Sequence, residues 1–143
     1  MRISAKGEYA LKAMLDLSLQ PPRRIVPIQE IAARQGIPQR YLEQVLQGLK
    51  RAGLLTSRRG AAGGYQLARA PEDITAGDVL RAADGAEAPF QARDGGRGAA
   101  RDELGELWEE IGRAVSEVVD GLSFGELAER ARARAGAQPM YHI

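Results

Sequence analysis

Between Ile28 and Leu49 two short runs of apolar residues recur at helical spacing, Ile28, Ile31 and Ala32 and then Leu42, Val45, Leu46 and Leu49, with Gly36 and Pro38 between them. The glycine ends the first helix. The proline suits the first turn of the second, where its missing N–H would have had no partner. So short a connection makes the two helices cross and bury their inner faces, and Ala32 is small where they meet. Once Leu42 and Val45 turn inward, Gln39, Arg40, Glu43, Gln44 and Gln47 tend toward the opposite, exposed side. Amide and guanidinium groups there could reach base edges in a major groove. Two helices that merely pack together are the plainer alternative.

The flanking segments extend this pair. From Ser4 to Leu19 the residues Tyr9, Ala10, Met14, Leu15, Leu17 and Leu19 predict a first helix, capped by Ser4 and stopped by Pro21 and Pro22. Gly53 ends the helix that follows Pro38. Leu54–Ser57 and Tyr65–Leu67 read as short strands around Arg58-Arg59-Gly60-Ala61-Ala62-Gly63-Gly64, whose glycines permit a hairpin loop or wing. Arg58 and Arg59 could neutralise phosphates or enter a narrow minor groove. A solvated surface hairpin is the alternative, and a nucleotide-cradling loop is a poor one, because the run lacks a Gly-Lys-Ser/Thr ending and no helix follows it.

Thr75 with Asp78 opens another short helix through Ala83 in the manner of a capping box. Glycine and charge dominate 84–98, which reads as a flexible connector. The longest helix is expected from about Ala99 to Leu122. Along it Leu104, Trp108, Ile111, Val115, Val118 and Leu122 step by four and three residues, a seam that suits helix pairing. Glu103, Glu106, Glu109, Glu110, Glu117 and Asp120 lie largely off the seam and read as a solvated face rather than a metal cluster. Ser123 and Glu126 begin a last short helix. The expected fold is mainly α with a small β-hairpin, a winged helix-turn-helix plus a long dimerisation helix. Its divisions are 1–83 for DNA binding, 84–98 as connector, and 99–143 for dimerisation and tail.

Charge sharpens this reading. The net charge is only +1, but residues 1–75 hold twelve basic and six acidic side chains (+6), and residues 76–143 hold eight and thirteen (−5). That split suggests a basic working end and an acidic end with another task. The chain has no cysteine, hence no disulfide, thiolate metal site or thiol nucleophile. No stretch approaches the roughly 18 apolar residues of a membrane span, and no signal-peptide core opens the chain, so a cytoplasmic protein is expected. The single histidine, His142, reads as part of a frayed terminus. No nucleophile–base pair, metal quartet or cofactor loop emerges, so no enzyme is expected.

The strings Met1-Arg-Ile-Ser-Ala-Lys-Gly-Glu-Tyr-Ala, Ile28-Gln-Glu-Ile-Ala, Gln35-Gly-Ile-Pro, Tyr41-Leu-Glu-Gln, Ala52-Gly-Leu-Leu, Arg59-Gly-Ala-Ala-Gly-Gly-Tyr-Gln-Leu and Ser123-Phe-Gly-Glu-Leu together resemble the BadM/IscR-type winged-helix transcriptional regulators, the IscR-like members most of all. The resemblance implies a homodimeric, cytoplasmic regulator, expected to repress, that binds a palindromic operator in double-stranded DNA. The helix after Pro38 would read bases, Arg59 would contact the minor groove, and the long helix would dimerise. Glu43 would act as a selector, since its carboxylate can accept from cytosine but repels phosphate.

Cluster-binding relatives carry three cysteines between the positions of Phe90 and Trp108. Here Ala92 stands near the first ligand place and Asp102 near the last, so no cysteine-ligated iron–sulphur cluster and no metal is expected. Either the chain is similar to the cluster-free, CymR-like members or cysteines were replaced in it. Glu8 matches a carboxylate ligand of some relatives, with a surface charge as its plainer role. The expected DNA-facing set is Lys6, Arg40, Arg58 and Arg59 for phosphates or the minor groove, Gln39, Tyr41, Glu43 and Gln44 for register and bases, and Ser57 and Gly60 on the wing. The alternative is a dimeric module that docks a metabolic enzyme.

Overall fold

The computed structural model describes residues 3–90 and 102–137. Three helices come first, α1 (Ala5–Ser18), α2 (Ile28–Gln35) and α3 (Gln39–Arg51), followed by the hairpin strands β1 (Leu55–Arg58) and β2 (Gly64–Leu67). A 3-10 turn at Pro71–Asp73 leads into α4 (Ala76–Asp84), and after the undescribed stretch come α5 (Glu103–Asp120) and α6 (Phe124–Gly136). The architecture is thus mainly α with one antiparallel hairpin, whose register sets Leu55 opposite Leu67 and Arg58 opposite Gly64.

Local chemistry explains the boundaries. Ser4 caps α1 by accepting from the Gly7 N–H at 2.9 Å, and Thr75 with Asp78 forms a full capping box on α4. Gly36 ends α2 at φ 66°, a left-handed turn that a side chain would resist, and so sends the chain abruptly into α3. Pro38 stands one residue outside α3, as its cap, because its ψ of 129° is extended. Ser123 accepts from the Glu126 N–H at 3.1 Å and starts α6.

Met14 and Leu17 of α1, Ile31 of α2, Leu42, Val45, Leu46 and Leu49 of α3, Leu55 of β1 and Val79 of α4 bury themselves in one core. Each such side chain contributes about 1.5–3 kcal/mol relative to exposure. Phe124, at 1% exposure, is in the same core, so α6 shares it with the segments of 1–83. Backbone bonds from Ala76 N–H to the Leu122 carbonyl and from Phe124 N–H to the Ile74 carbonyl fasten that return. Asp84 closes α4 and accepts from the Ser4 hydroxyl at the start of α1, and Pro89 is buried. The remainder of the expected connector, 91–98, and residues 99–101 lie outside the described residues. The long helix is seen from Glu103, capped by Asp102, which accepts from the Gly105 N–H at 2.8 Å.

An ion network holds α2 against α1. The Asp16 carboxylate, 3% exposed, receives the Arg34 Nε at 2.8 Å and Nη2 at 2.9 Å, and Gln35 adds a bond at 3.1 Å. Arg34 also pairs with Glu30, which receives Arg24 at 2.6 and 2.8 Å. Arg24 follows a turn closed by its own N–H on the Pro21 carbonyl at 3.1 Å, in which Arg23 takes φ 67°. That conformation costs a non-glycine residue roughly 1–2 kcal/mol.

Hydrogen bonds from Arg24 and then Arg34 hold the Glu30 carboxyl down from its ordinary 4.5 to about 2. Its contribution to stability is therefore complete above about pH 4.5 and is lost as the pH falls through 2. Chemical denaturation at pH 6, 4 and 2.5 should show a loss on acidification that Glu30→Gln reduces. A parallel decline in both proteins would remove Glu30 from the acid response.

Candidate nucleic-acid interface

The inner face of α3 is consumed by the core, with Leu42, Val45, Leu46 and Leu49 buried. Its outer face is open: Gln39, Arg40, Tyr41, Glu43, Gln44 and Gln47 are all exposed. Tyr41, at 37% exposure, sets its ring edge-on to Tyr9 with centroids 5.2 Å apart and planes at 88°, which braces the start of α3 on α1. Lys12 stands 6.0 Å from the Tyr9 ring centre. Lys6 is half-buried in the first turn of α1.

The wing is built by close backbone approaches. Val26 and Tyr65 exchange two backbone bonds, at 2.8 and 2.9 Å, so that the chain before α2 adds a bridge to the hairpin edge. A Cβ on Gly64 would sit 2.2 Å from the Val26 carbonyl oxygen, and one on Gly63 equally near that of Arg58. Gly60 turns the tip at φ 103°. Only glycine tolerates these places, and the result is a tight hairpin with Ser57, Arg58, Arg59 and Gly60 all exposed.

Between α3 and the wing lies an open cleft of about 640 Å³. Gln47, Lys50 and Arg51 line it from the helix, and Ser57, Arg58, Arg59 and Gly60 from the hairpin. Lys50 Nζ donates to Ser57 Oγ at 2.7 Å, a direct strap from helix to wing. Four cations with no carboxylate in this lining suit a polyanion. Tyr65 faces the same cleft. Burial first, and then the Glu43 carboxylate, push its phenol upward, so it stays a neutral hydroxyl. The structure thus gathers Ser57, Arg58, Arg59 and Gly60 in one cleft and leaves Gln39, Arg40, Tyr41, Glu43 and Gln44 on the open helix beyond it. Sequence reasoning missed Lys50, Arg51 and Gln29 as cleft residues. The signal was the basic pair in the last turn of α3, so close before the hairpin.

The seam on α5 divides. Leu104 and Val118 are 60% and 65% exposed and are joined by Leu107 at 42%, which the four–three pattern had passed over. Trp108, Ile111, Val115 and Leu122 are half-buried. On the side of α5 toward α4, Gly112 admits the Phe90 ring, 3.2 Å from where a Cβ would stand, and Asp120 receives Arg81 at 2.7 Å. Among the described residues no three His, Cys, Asp or Glu side chains converge as metal ligands, and no helix is long and apolar enough to cross a membrane. His142 lies outside the described residues.

Because Gly64 abuts backbone rather than a movable side chain, Gly64→Ala should destabilise the protein by roughly 1–3 kcal/mol, read as a lowered denaturation midpoint. An unchanged midpoint would show that the Val26 bridge is dispensable.

The family model Rrf2, described as an iron-dependent transcriptional regulator, matches residues 3–130. The HTH-type transcriptional regulator IscR of Aliivibrio salmonicida is 39% identical over 129 residues, which cover 89% of this chain and 77% of that protein. Among solved structures, CymR, the global cysteine regulator of B. subtilis, superposes with a TM-score of 0.78 at 35% identity, over 91% of this chain and 98% of that one. IscR of T. potens gives 0.79 at 33% identity, over 100% and 97%.

Proposed function

Because the chain belongs to the Rrf2 family, whose members are transcriptional regulators and not enzymes, we propose that it represses transcription as a homodimer bound to a palindromic operator. The observation that carries this reading is the open outer face of α3 beside a strapped, arginine-tipped wing. In the proposed complex α3 lies in the major groove. Gln39 and Gln44 offer amides that can pair bidentately with adenine, and Glu43 accepts from cytosine. Tyr41 keeps the helix in register through its contact with Tyr9.

Arg58 and Arg59 follow the backbone into the adjacent minor groove, where negative potential favours arginine. Lys6, Arg40, Ser57 and the Gly60 backbone add sequence-independent contacts. Residues 1–83 supply this reading surface. The exposed Leu104, Leu107 and Val118 of α5 support pairing with a second copy, with the half-buried Trp108, Ile111, Val115 and Leu122 completing the seam. Pairing two such surfaces by a two-fold axis doubles the footprint and makes the operator palindromic.

The family description names iron, and the residues of this chain do not fit an iron–sulphur cluster. It has no cysteine, and no cluster of carboxylates and histidine substitutes among the described residues. Its DNA binding is therefore read without any step through iron.

Selection from random duplex DNA at physiological salt, with the mass of the complex measured in parallel, should return a palindrome held by two chains. Recovery of no sequence, or of one chain per duplex, would contradict the reading. Arg59→Ala should weaken the selected site by about 1–3 kcal/mol and leave the mass of the free protein unchanged. Leu107→Glu should instead yield a folded monomer.

A further inference from the structure

A second cleft, of about 930 Å³, opens on the other side of the wing. Its floor is the end of α1, and its walls are the Pro21–Ile25 turn and the Gln66–Glu72 segment that leaves the hairpin. Arg23, Arg24, Arg58, Arg69 and Arg132 line it against one carboxylate, Glu72. Arg24 is committed to Glu30, and Arg132 donates to the Ser18 carbonyl at 3.3 Å. Arg23, Arg58 and Arg69 form no ion pair among the described residues. Arginines lining a concavity of this size, within the about 300–1,000 Å³ typical of small-ligand sites, suit a compact ligand with two or more oxyanion groups.

Arg23 strengthens the case. At φ 67° it occupies a turn position that glycine would take without strain. The chain keeps an arginine where its backbone is least at ease, and that residue lines the cleft. Nothing on the reading face of α3 lines this space, whereas Arg58 lines both clefts.

We propose that this cleft binds a small polyanion, a di- or tricarboxylate or a phosphorylated compound, and that its occupancy weakens operator binding by drawing Arg58 away from the DNA side. The binding site stands on the cleft alone. The coupling rests on the function proposed above, and by linkage the operator and the anion must weaken one another by the same factor.

Sodium citrate and pyrophosphate, titrated calorimetrically without DNA against sodium chloride of equal ionic strength, should bind the wild-type protein. Arg23→Gly and Arg69→Ala should each weaken that binding at least tenfold. Arg23→Gly should melt no lower than wild type, which separates a lost ligand contact from a lost fold. Heat no greater than chloride gives, or equal affinity in the variants, would overturn the site whatever the DNA results.

In the second arm, saturating anion should reduce wild-type affinity for the selected operator at least fivefold and leave that of Arg69→Ala unchanged. Anion binding with no such reduction would overturn the coupling and leave the site standing. If Arg23→Gly weakens operator binding in anion-free buffer as much as Arg59→Ala does, the cleft itself extends the DNA surface, and the coupling through Arg58 is overturned in favour of direct competition.

Discussion

The structure depends on the burial of one face of α3. Leu42, Val45, Leu46 and Leu49 are at most 2% exposed, and their removal from water fixes the rotation of the helix about its axis. A helix so fixed has no freedom in what it presents outward. Gln39, Arg40, Glu43 and Gln44 face solvent because their neighbours at helical spacing cannot. The outward surface of α3 is thus a by-product of packing, and the core around Met14, Ile31 and Val79 sets its orientation.

The wing is positioned by a different logic. It has little apolar burial of its own, and β1 is open beyond Leu55. Its place is set by backbone proximity at Gly63 and Gly64, by the Val26 bridge and by the Lys50–Ser57 strap. Helix and hairpin are therefore joined twice, once through the core at Leu55 and once across the cleft.

Much of this was legible in order along the chain. Capping residues and turn glycines act over three or four positions, so Ser4, Gly36, Thr75 and Ser123 disclosed the helix boundaries to within a residue or two. The inward and outward faces of α3 followed from spacing alone. What escaped were contacts between distant segments. Nothing local to Val26 announces a bridge to Tyr65, and nothing local to Asp16 announces Arg34, eighteen positions later. On α5 the apolar residues were visible, but some are exposed and others half-buried. Only the packing of Phe90 on Gly112 and the Arg81–Asp120 pair show which side belongs to the chain itself. Phe124 was visible only as the start of a helix, and its burial in the shared core was not.

The enclosure of Asp16 has one further consequence. Ions in solution screen exposed charges within about 10 Å at 0.1 M but reach a carboxylate sealed beneath Arg34 and Gln35 far less. Raising the electrolyte therefore weakens the pull of the exposed Arg58 and Arg59 on any anion long before it loosens the joint between α1 and α2. Brine thus quiets the wing and spares the joint.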